Sequence, residues 1–321
     1  DHEVAQGYQT VVDPSVYVRF PVTSGEWAGK ASLLVWTTTP WTLVSNTAVA
    51  AHPGVTYVVA RVGEELLVVA EPLADVLGEH EVVASFPGTE LEHTTYTRPF
   101  DWVDIPGAHY VGLAEYVTTD SGTGLVHQAP AFGAEDLQVA RSYGLPVVNP
   151  VRPDGTFEDD VPLVGGQFFK AADPTLVQDL QQRGLLFLEK TYEHSYPHCW
   201  RCDTALLYYA LPSWYIRTTA VKDRLLEEND KTDWHPATIR TGRYGDWLVN
   251  NVDWALSRNR YWGTPLPVWR CEERHTTVVG SLAELGSLAG QDLSALDPHR
   301  PFVDDVTLPC PECGEEARRV P

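Results

Sequence analysis

The sequence predicts a β-rich α/β chain in two units, and three observations carry the prediction. Runs of β-branched and aromatic residues bounded by Pro and Gly dominate the first two thirds. Helical spacing is sparse there, so strands mixed with few helices point to a closed barrel or a sandwich rather than a βαβ repeat. Near residue 195 the chain becomes aromatic, cysteine-bearing and more helical. A length of 321 residues exceeds one ordinary domain. The expected division is therefore residues 1–195 and 196–321.

Taken in order, Val16 to Phe20 and Ala31 to Trp36 read as strands. Tyr57 to Val62 and Leu66 to Ala70 flank Gly63-Glu64-Glu65 and read as a hairpin. Further short strands are expected around Val82, Tyr110 and Gly124 to Val126. Ala134 to Tyr143 has helical spacing with Gly144 as its C-cap. Asp173-Pro174, then Thr175 to Arg183 and Gly184, supplies a cap, a first-turn proline and a terminal glycine. Past the boundary, Val221 to Asp230 reads as a charged helix.

Composition narrows the classes of function. The 43% hydrophobic and 11% aromatic content suffices for a core and excludes wholesale disorder. No stretch approaches the ~18 uncharged apolar residues of a membrane span, and no signal peptide opens the chain, so a soluble cytoplasmic protein is expected. Met is absent even at position 1, which suggests an excised piece of a longer chain or a removed initiator. A net charge of -21 repels polyphosphate at long range, so a nucleic-acid partner would need a local basic face. Five cysteines, four of them in Cys-x-x-Cys pairs, suggest metal ligands in a reducing compartment.

Two segments carry chemistry. In Trp36-Thr37-Thr38-Thr39-Pro40-Trp41-Thr42-Leu43, with Asn46 beyond it, adjacent threonines at a strand end place hydroxyls on both sides of the chain. Pro40 stops the ladder and turns the backbone. Such a rim suits ester or ribose oxygens, with the methyls bordering a small apolar pocket; the plainer alternative is a Thr-rich strand end. In Gly122-Thr123-Gly124-Leu125-Val126-His127-Gln128-Ala129-Pro130-Ala131-Phe132-Gly133-Ala134-Glu135-Asp136, the glycines permit close backbone approach. His127 ends a strand and Asp136 enters the first turn of the next helix. A carboxylate there could simply favour the helix dipole, or it could hold an ammonium group.

Together these segments resemble the editing domain of isoleucyl-tRNA synthetases, the connective insertion of the class I core. The valyl and leucyl relatives carry Thr-Thr-Arg-Pro and Pro-Ala-His-Asp where this chain has Thr-Thr-Thr-Pro-Trp and Pro-Ala-Phe-Gly. The resemblance extends through Gly7-Tyr8, Asp13 to Val18, His194 to Cys202 and Ser257 to Pro265. It implies that Thr37, Thr38, Thr39 and Asn46 contact the terminal adenosine and the scissile ester. It also implies that Trp41 shapes the pocket beside Gly124, Ala129 and Pro130, that His127 helps exclude isoleucine, and that Asp136 anchors the substrate α-ammonium. The implied fold is a distorted β-barrel or sandwich with a zinc-knuckle and helical connector. The implied function is hydrolysis of valine from the tRNA for isoleucine, with valyl-adenylate as a further substrate. The implied partners are the tRNA acceptor end and a valine or valyl-adenosine ligand, bound by a monomer. No Ser-His-Asp or Cys-His arrangement demands an acyl-enzyme, so direct attack by a positioned water is expected, with His127 in specificity rather than as base. The HIGH-type and KMSKS-type activation signatures are absent, so no aminoacyl-adenylate should be made here. The rival expectation is a non-catalytic module that positions the acceptor end.

The cysteines leave more open. Cys199 and Cys202 supply two of the four ligands that tetrahedral zinc takes. The resemblance implies that their partner pair lies upstream of Asp1 to Ala5. Cys271, Cys310 and Cys313 form a second candidate zinc set; Arg274 stands where the family has another cysteine, and His275 beside it is the candidate fourth ligand. A metal-free knuckle is the alternative. Arg240, Arg243, Arg258 and Arg260 lie among Tyr244, Trp247, Trp254, Tyr261 and Trp262. They suit a single-stranded RNA end or, preferably, packing against a catalytic core.

Overall fold

Alternation along the strands decides the architecture. In a computed structural model describing residues 7–257 and 265–321, β1 (Tyr8–Pro21) pairs antiparallel with β2 (Ala31–Thr37). Val16, Val18, Phe20, Leu33 and Val35 point into one core, while Tyr17 and Leu34 point into a second layer. Apolar residues on both faces match a sheet covered on both sides.

After β2 follow β3 (Ala48–Ala51), β4 (Thr56–Val62), β5 (Glu65–Ala70), β6 (Glu81–Pro87), β7 (Tyr110–Leu113) and β8 (Leu125–Gln128). The order is β6-β4-β5-β2-β8-β3-β7, with β1 on the other edge of β2. β5 and β8 share one edge of β2 in succession, β5 against Ala31–Leu33 and β8 against Trp36. At their junction the Ala70 N–H bonds to Thr123 O at 2.8 Å, and a Cβ on Gly124 would lie 2.4 Å from Ala70 Cβ. Only glycine fits there, and its φ of +71° is one that glycine adopts freely.

The ring closes through a short seam. Thr95 bridges Tyr110 of β7 and Tyr96 bridges Val22 at the end of β1, so the order β1-β2-β8-β3-β7-seam returns to β1. The fold is thus β-rich α/β, a distorted barrel with few helices. Its core includes Phe20, Phe100, Phe157, Phe169 and Leu176, all fully buried. The helices are α1 (Ala134–Tyr143), closed by left-handed Gly144, and α2 (Asp173–Gln182). The expected hairpin is β4–β5, turning at Gly63.

The boundary lies later than expected. β9 (Leu186–Pro197) runs through residue 195 and pairs with β1 as far as Tyr8↔Pro197. The following segment folds back onto the barrel, with the Ala210 N–H bonding to Ala131 O at 2.9 Å and the Tyr209 hydroxyl to Val151 O at 2.8 Å. The compact units are Asp1–Leu211 and Pro212–Pro321.

The second unit holds β10 (Tyr215–Ile216), α3 (Lys222–Lys231), α4 (Thr238–Thr241), α5 (Arg243–Val249) and β11 (Trp254–Ala255), which pairs with β10. Next come β12 (Val268–Arg270), β13 (Thr276–Val278), α6 (Leu282–Ala289), β14 (Leu308–Pro309) and β15 (Glu316–Arg319). These last four strands form a sheet in the order β13-β12-β15-β14 around a small core with Trp269, Leu285 and Leu308. Ser281 caps α6, its hydroxyl accepting the Glu284 N–H at 3.1 Å. No helix of the described residues is long and apolar enough to cross a membrane.

Candidate functional site

The threonine segment forms a folded corner. β2 ends at Thr37, whose Oγ1 accepts the Thr39 N–H at 3.1 Å. Pro40 then opens a 3-10 helix, Pro40–Ser45, that carries Trp41 and Thr42. Hydroxyls run in a line: Thr37 Oγ1 is 3.1 Å from Thr39 Oγ1, which is 3.1 Å from Thr42 Oγ1. Thr42 also donates to Thr39 O at 2.8 Å.

A cavity of about 260 Å³ opens beside this corner, walled in part by Thr37, Thr39, Trp41, His127, Ala129 and Asp136. Trp41 stands edge-on to Phe132 and tilted against Phe169, both at 4.7 Å between ring centroids. The cavity is thus lined by packed aromatic rings as well as by threonine hydroxyls.

His127 projects from β8 and is buried with both ring nitrogens engaged. Nε2 lies 2.7 Å from Thr42 Oγ1, and Nδ1 lies 3.3 Å from Asn46 Nδ2. Burial pulls its pKa down to about 4, so the ring is neutral at physiological pH. An amide nitrogen can only donate, so Nδ1 is the acceptor and the proton sits on Nε2. That proton goes to Thr42, whose own hydrogen goes to Thr39 O.

Asp136 turns back from the first turn of α1, its Oδ2 accepting the Ala129 N–H at 2.8 Å. A Cβ at Gly133 would fall 2.8 Å from the Asp136 carboxyl carbon, so the loop needs glycine to bring the carboxylate inward. Burial raises the Asp136 pKa, with the nearby Glu135 charge adding to the shift. Among the described residues no cationic side chain pairs with it. A bound ammonium would offset the cost of keeping it charged.

Four other expected residues lie off the cavity wall. Thr38 is half-buried and does not line the cavity. Asn46 is fully buried behind His127, where Nδ2 also donates to Ala48 O at 2.9 Å. Gly124 serves the β5–β8 junction, and Pro130 is buried behind Ala129. Thr42, Val126, Phe132 and Tyr196 line the cavity without having been singled out as contacts.

Asp173 corrects a simpler expectation. Rather than capping its own helix, its buried Oδ1 accepts the Trp41 N–H at 2.8 Å, across 132 positions of sequence. It fastens the start of the 3-10 helix that holds the cavity's aromatic wall. Burial pushes its pKa up to about 8.

In the second unit, Cys271, His275, Cys310 and Cys313 bring their donor atoms within 4.8 Å of one another. Cys271 and His275 flank the β12–β13 turn; Cys310 and Cys313 flank the β14–β15 turn. Arg274 has a φ of +65° there, which delivers the next side chain, His275, to within 3.8 Å of Cys310 Sγ. Three thiols and an imidazole can hold a metal ion in tetrahedral geometry. Cys199 and Cys202 belong to the first unit, where Cys202 is exposed with Sγ 3.3 Å from Thr204 Oγ1. The backbone at Gly7 adjoins that knuckle, its carbonyl accepting the His198 N–H at 2.7 Å.

Tyr244 and Trp247 stack at 5.9 Å on α5, and Trp247 and Trp254 are exposed. The expected partners Arg258, Arg260, Tyr261 and Trp262, and the segment Asp1 to Ala5, fall outside the described residues.

Residues 22–306 match the family model described as tRNA synthetases class I (I, L, M and V). The chain is 72% identical to the isoleucine–tRNA ligase of Streptomyces coelicolor, 64% to that of Thermobifida fusca and 51% to that of Thermus thermophilus. Each alignment covers 100% of this chain and 31% of the relative, so the chain spans about a third of the length of the curated relatives it matches. A solved chain described as "The crystal structure of GlLeuRS-CP1" superposes at TM-score 0.44 and 16% identity, covering 55% of this chain and 98% of its own. The chain belongs to the class I tRNA synthetases of the isoleucine, leucine, methionine and valine group, and it matches a region of the larger isoleucine–tRNA ligases.

Proposed function

We propose that the barrel cavity hydrolyses valine from mischarged tRNA for isoleucine, with valyl-adenylate as a second substrate. The supporting observation is that one small cavity combines a hydroxyl rim at Thr37 and Thr39, an aromatic wall at Trp41 and a half-buried Asp136 carboxylate with no cationic partner among the described residues. The wall takes an aliphatic side chain, Asp136 takes the α-ammonium, and the rim takes the ester and ribose oxygens. A water bonds to the ester carbon and its proton passes to the departing ribose oxygen as the C–O bond breaks. Threonine hydroxyls and backbone amides support the oxyanion. His127, neutral and bonded at both nitrogens, serves the shape of the cavity rather than proton transfer.

The need for such a site is energetic: one methylene gives only ~1–3 kcal/mol of discrimination, so selection of isoleucine over valine leaks. The synthetase family is itself the standard example of that limit. The larger enzyme is proposed to ligate isoleucine to its tRNA with ATP and to work as a cytoplasmic monomer. The barrel is the editing part, the second unit the connector, and Cys271, His275, Cys310 and Cys313 hold a structural zinc.

The test is deacylation of valyl- and isoleucyl-tRNA for isoleucine by this chain, beside Asp136→Ala. Loss of valine with isoleucine retained, and neither reaction in the variant, supports editing. If both the tRNA ester and a small valyl-adenosine ester survive, the site is an acceptor-end positioning module.

A further inference from the structure

Behind the cavity, His127 is held by a buried chain of polar groups that ends on Tyr96. The Tyr96 hydroxyl donates to Asn46 Oδ1 at 2.7 Å, and Asn46 Nδ2 faces both Ala48 O at 2.9 Å and His127 Nδ1 at 3.3 Å. Tyr96, Asn46 and His127 are each buried, and of the three His127 alone also faces the cavity. Tyr96 belongs to the seam that closes the barrel and does not line the cavity.

The orientation of the Asn46 amide determines where the His127 proton resides. With Nδ2 toward the ring, Nδ1 must accept, so the proton is on Nε2 and is donated to Thr42. With the amide reversed, Oδ1 would face Nδ1 and demand the proton there. Nε2 would then accept from Thr42, which would withdraw its hydrogen from Thr39 O, a bond of 2.8 Å on the cavity rim. Reversal would also set two oxygens against each other at Ala48 and force the Tyr96 hydroxyl to change from donor to acceptor.

We propose that Tyr96 is a positioning residue that fixes the tautomer of His127 through Asn46, and thereby sets the preference for valyl over isoleucyl esters. The second clause rests on the editing function; the first does not. Tyr96 acts through one hydroxyl hydrogen. The ring contact with Phe20, at 5.2 Å between centroids, does not require it, so Tyr96→Phe leaves the packing in place.

The test uses the whole chain with ¹⁵N-labelled histidine, the His127 signals being assigned by their loss in His127→Gln. The wild type should show an unprotonated Nδ1 and a protonated Nε2 at neutral pH. In Tyr96→Phe the buried Oδ1 loses its donor, and a second form protonated at Nδ1 should appear. The ratio of valyl-tRNA to isoleucyl-tRNA deacylation should fall about fivefold, the factor expected for one lost buried hydrogen bond. An unchanged tautomer in the folded variant overturns the proposal, and so does a shifted tautomer with unchanged selectivity. If the wild type hydrolyses neither ester, the editing function fails, while the nitrogen signals still decide whether Tyr96 governs His127.

Discussion

The two units each place a histidine at their candidate site, and they hold it in opposite ways. In the barrel, His127 is locked by a hydroxyl and an amide from one corner, Thr42 and Asn46, beside a core that includes Phe20, Phe157 and Phe169. In the second unit, His275 sits on a turn among three thiols, beside a small core that among the described residues has nine buried members, Cys271 and Cys310 included. A large core can position a neutral histidine by packing and hydrogen bonds alone. A small one calls for a metal to fasten its turns. The contrast can be broken at either end.

The largest effect is expected at the cluster. Chelation, or Cys310→Ser, should expose residues 266–321 to protease while the barrel keeps its fold, because apparent binding energies at thiol-rich zinc sites reach ~10–16 kcal/mol. Proteolysis followed by mass spectrometry reads this directly. Equal resistance with and without chelator would show that the small core is sufficient. Next is Phe169→Ala, which removes a fully buried ring packed on Trp41 and should cost ~3–5 kcal/mol in denaturant unfolding of the barrel.

The pH response of His127 should be smaller. Its folded pKa of about 4 lies below the ordinary 6.5, so between those values the unfolded chain binds more protons and stability rises with pH. The stability of the wild type relative to His127→Gln should therefore fall by on the order of 3 kcal/mol as pH drops from 6.5 to 4, and should be flat above 6.5. A flat difference throughout would show that the ring is not held neutral. The smallest effect belongs to Asp173→Asn. With its pKa raised to about 8, Asp173 is mostly protonated at pH 7, and an amide oxygen can still accept the Trp41 N–H. That variant should match or exceed the wild type at pH 7, whereas Asp173→Ala should lose ~1–3 kcal/mol.

Local signals were readable in the sequence. Gly63 and Gly144 announce a hairpin and a helix end because backbone geometry there depends on neighbouring residues. The Cys310–Cys313 spacing announces a knuckle for the same reason. β3 and the full length of β9 were not legible, since Ala48–Ala51 carries no strong propensity and β9 is charged along much of its length. The corner residues Thr37 and Thr39 stand out in the sequence and line the cavity, whereas Asp173 and Tyr96 carry no such signal. Their roles arise from contacts across 132 and 50 positions, which no local pattern records.

The seam at Thr95 and Tyr96 has a consequence for assembly. The last bridges that complete the barrel and the first bond in the chain leading to His127 belong to neighbouring residues. A chain whose barrel is still open cannot yet fix the ring that shapes its cavity.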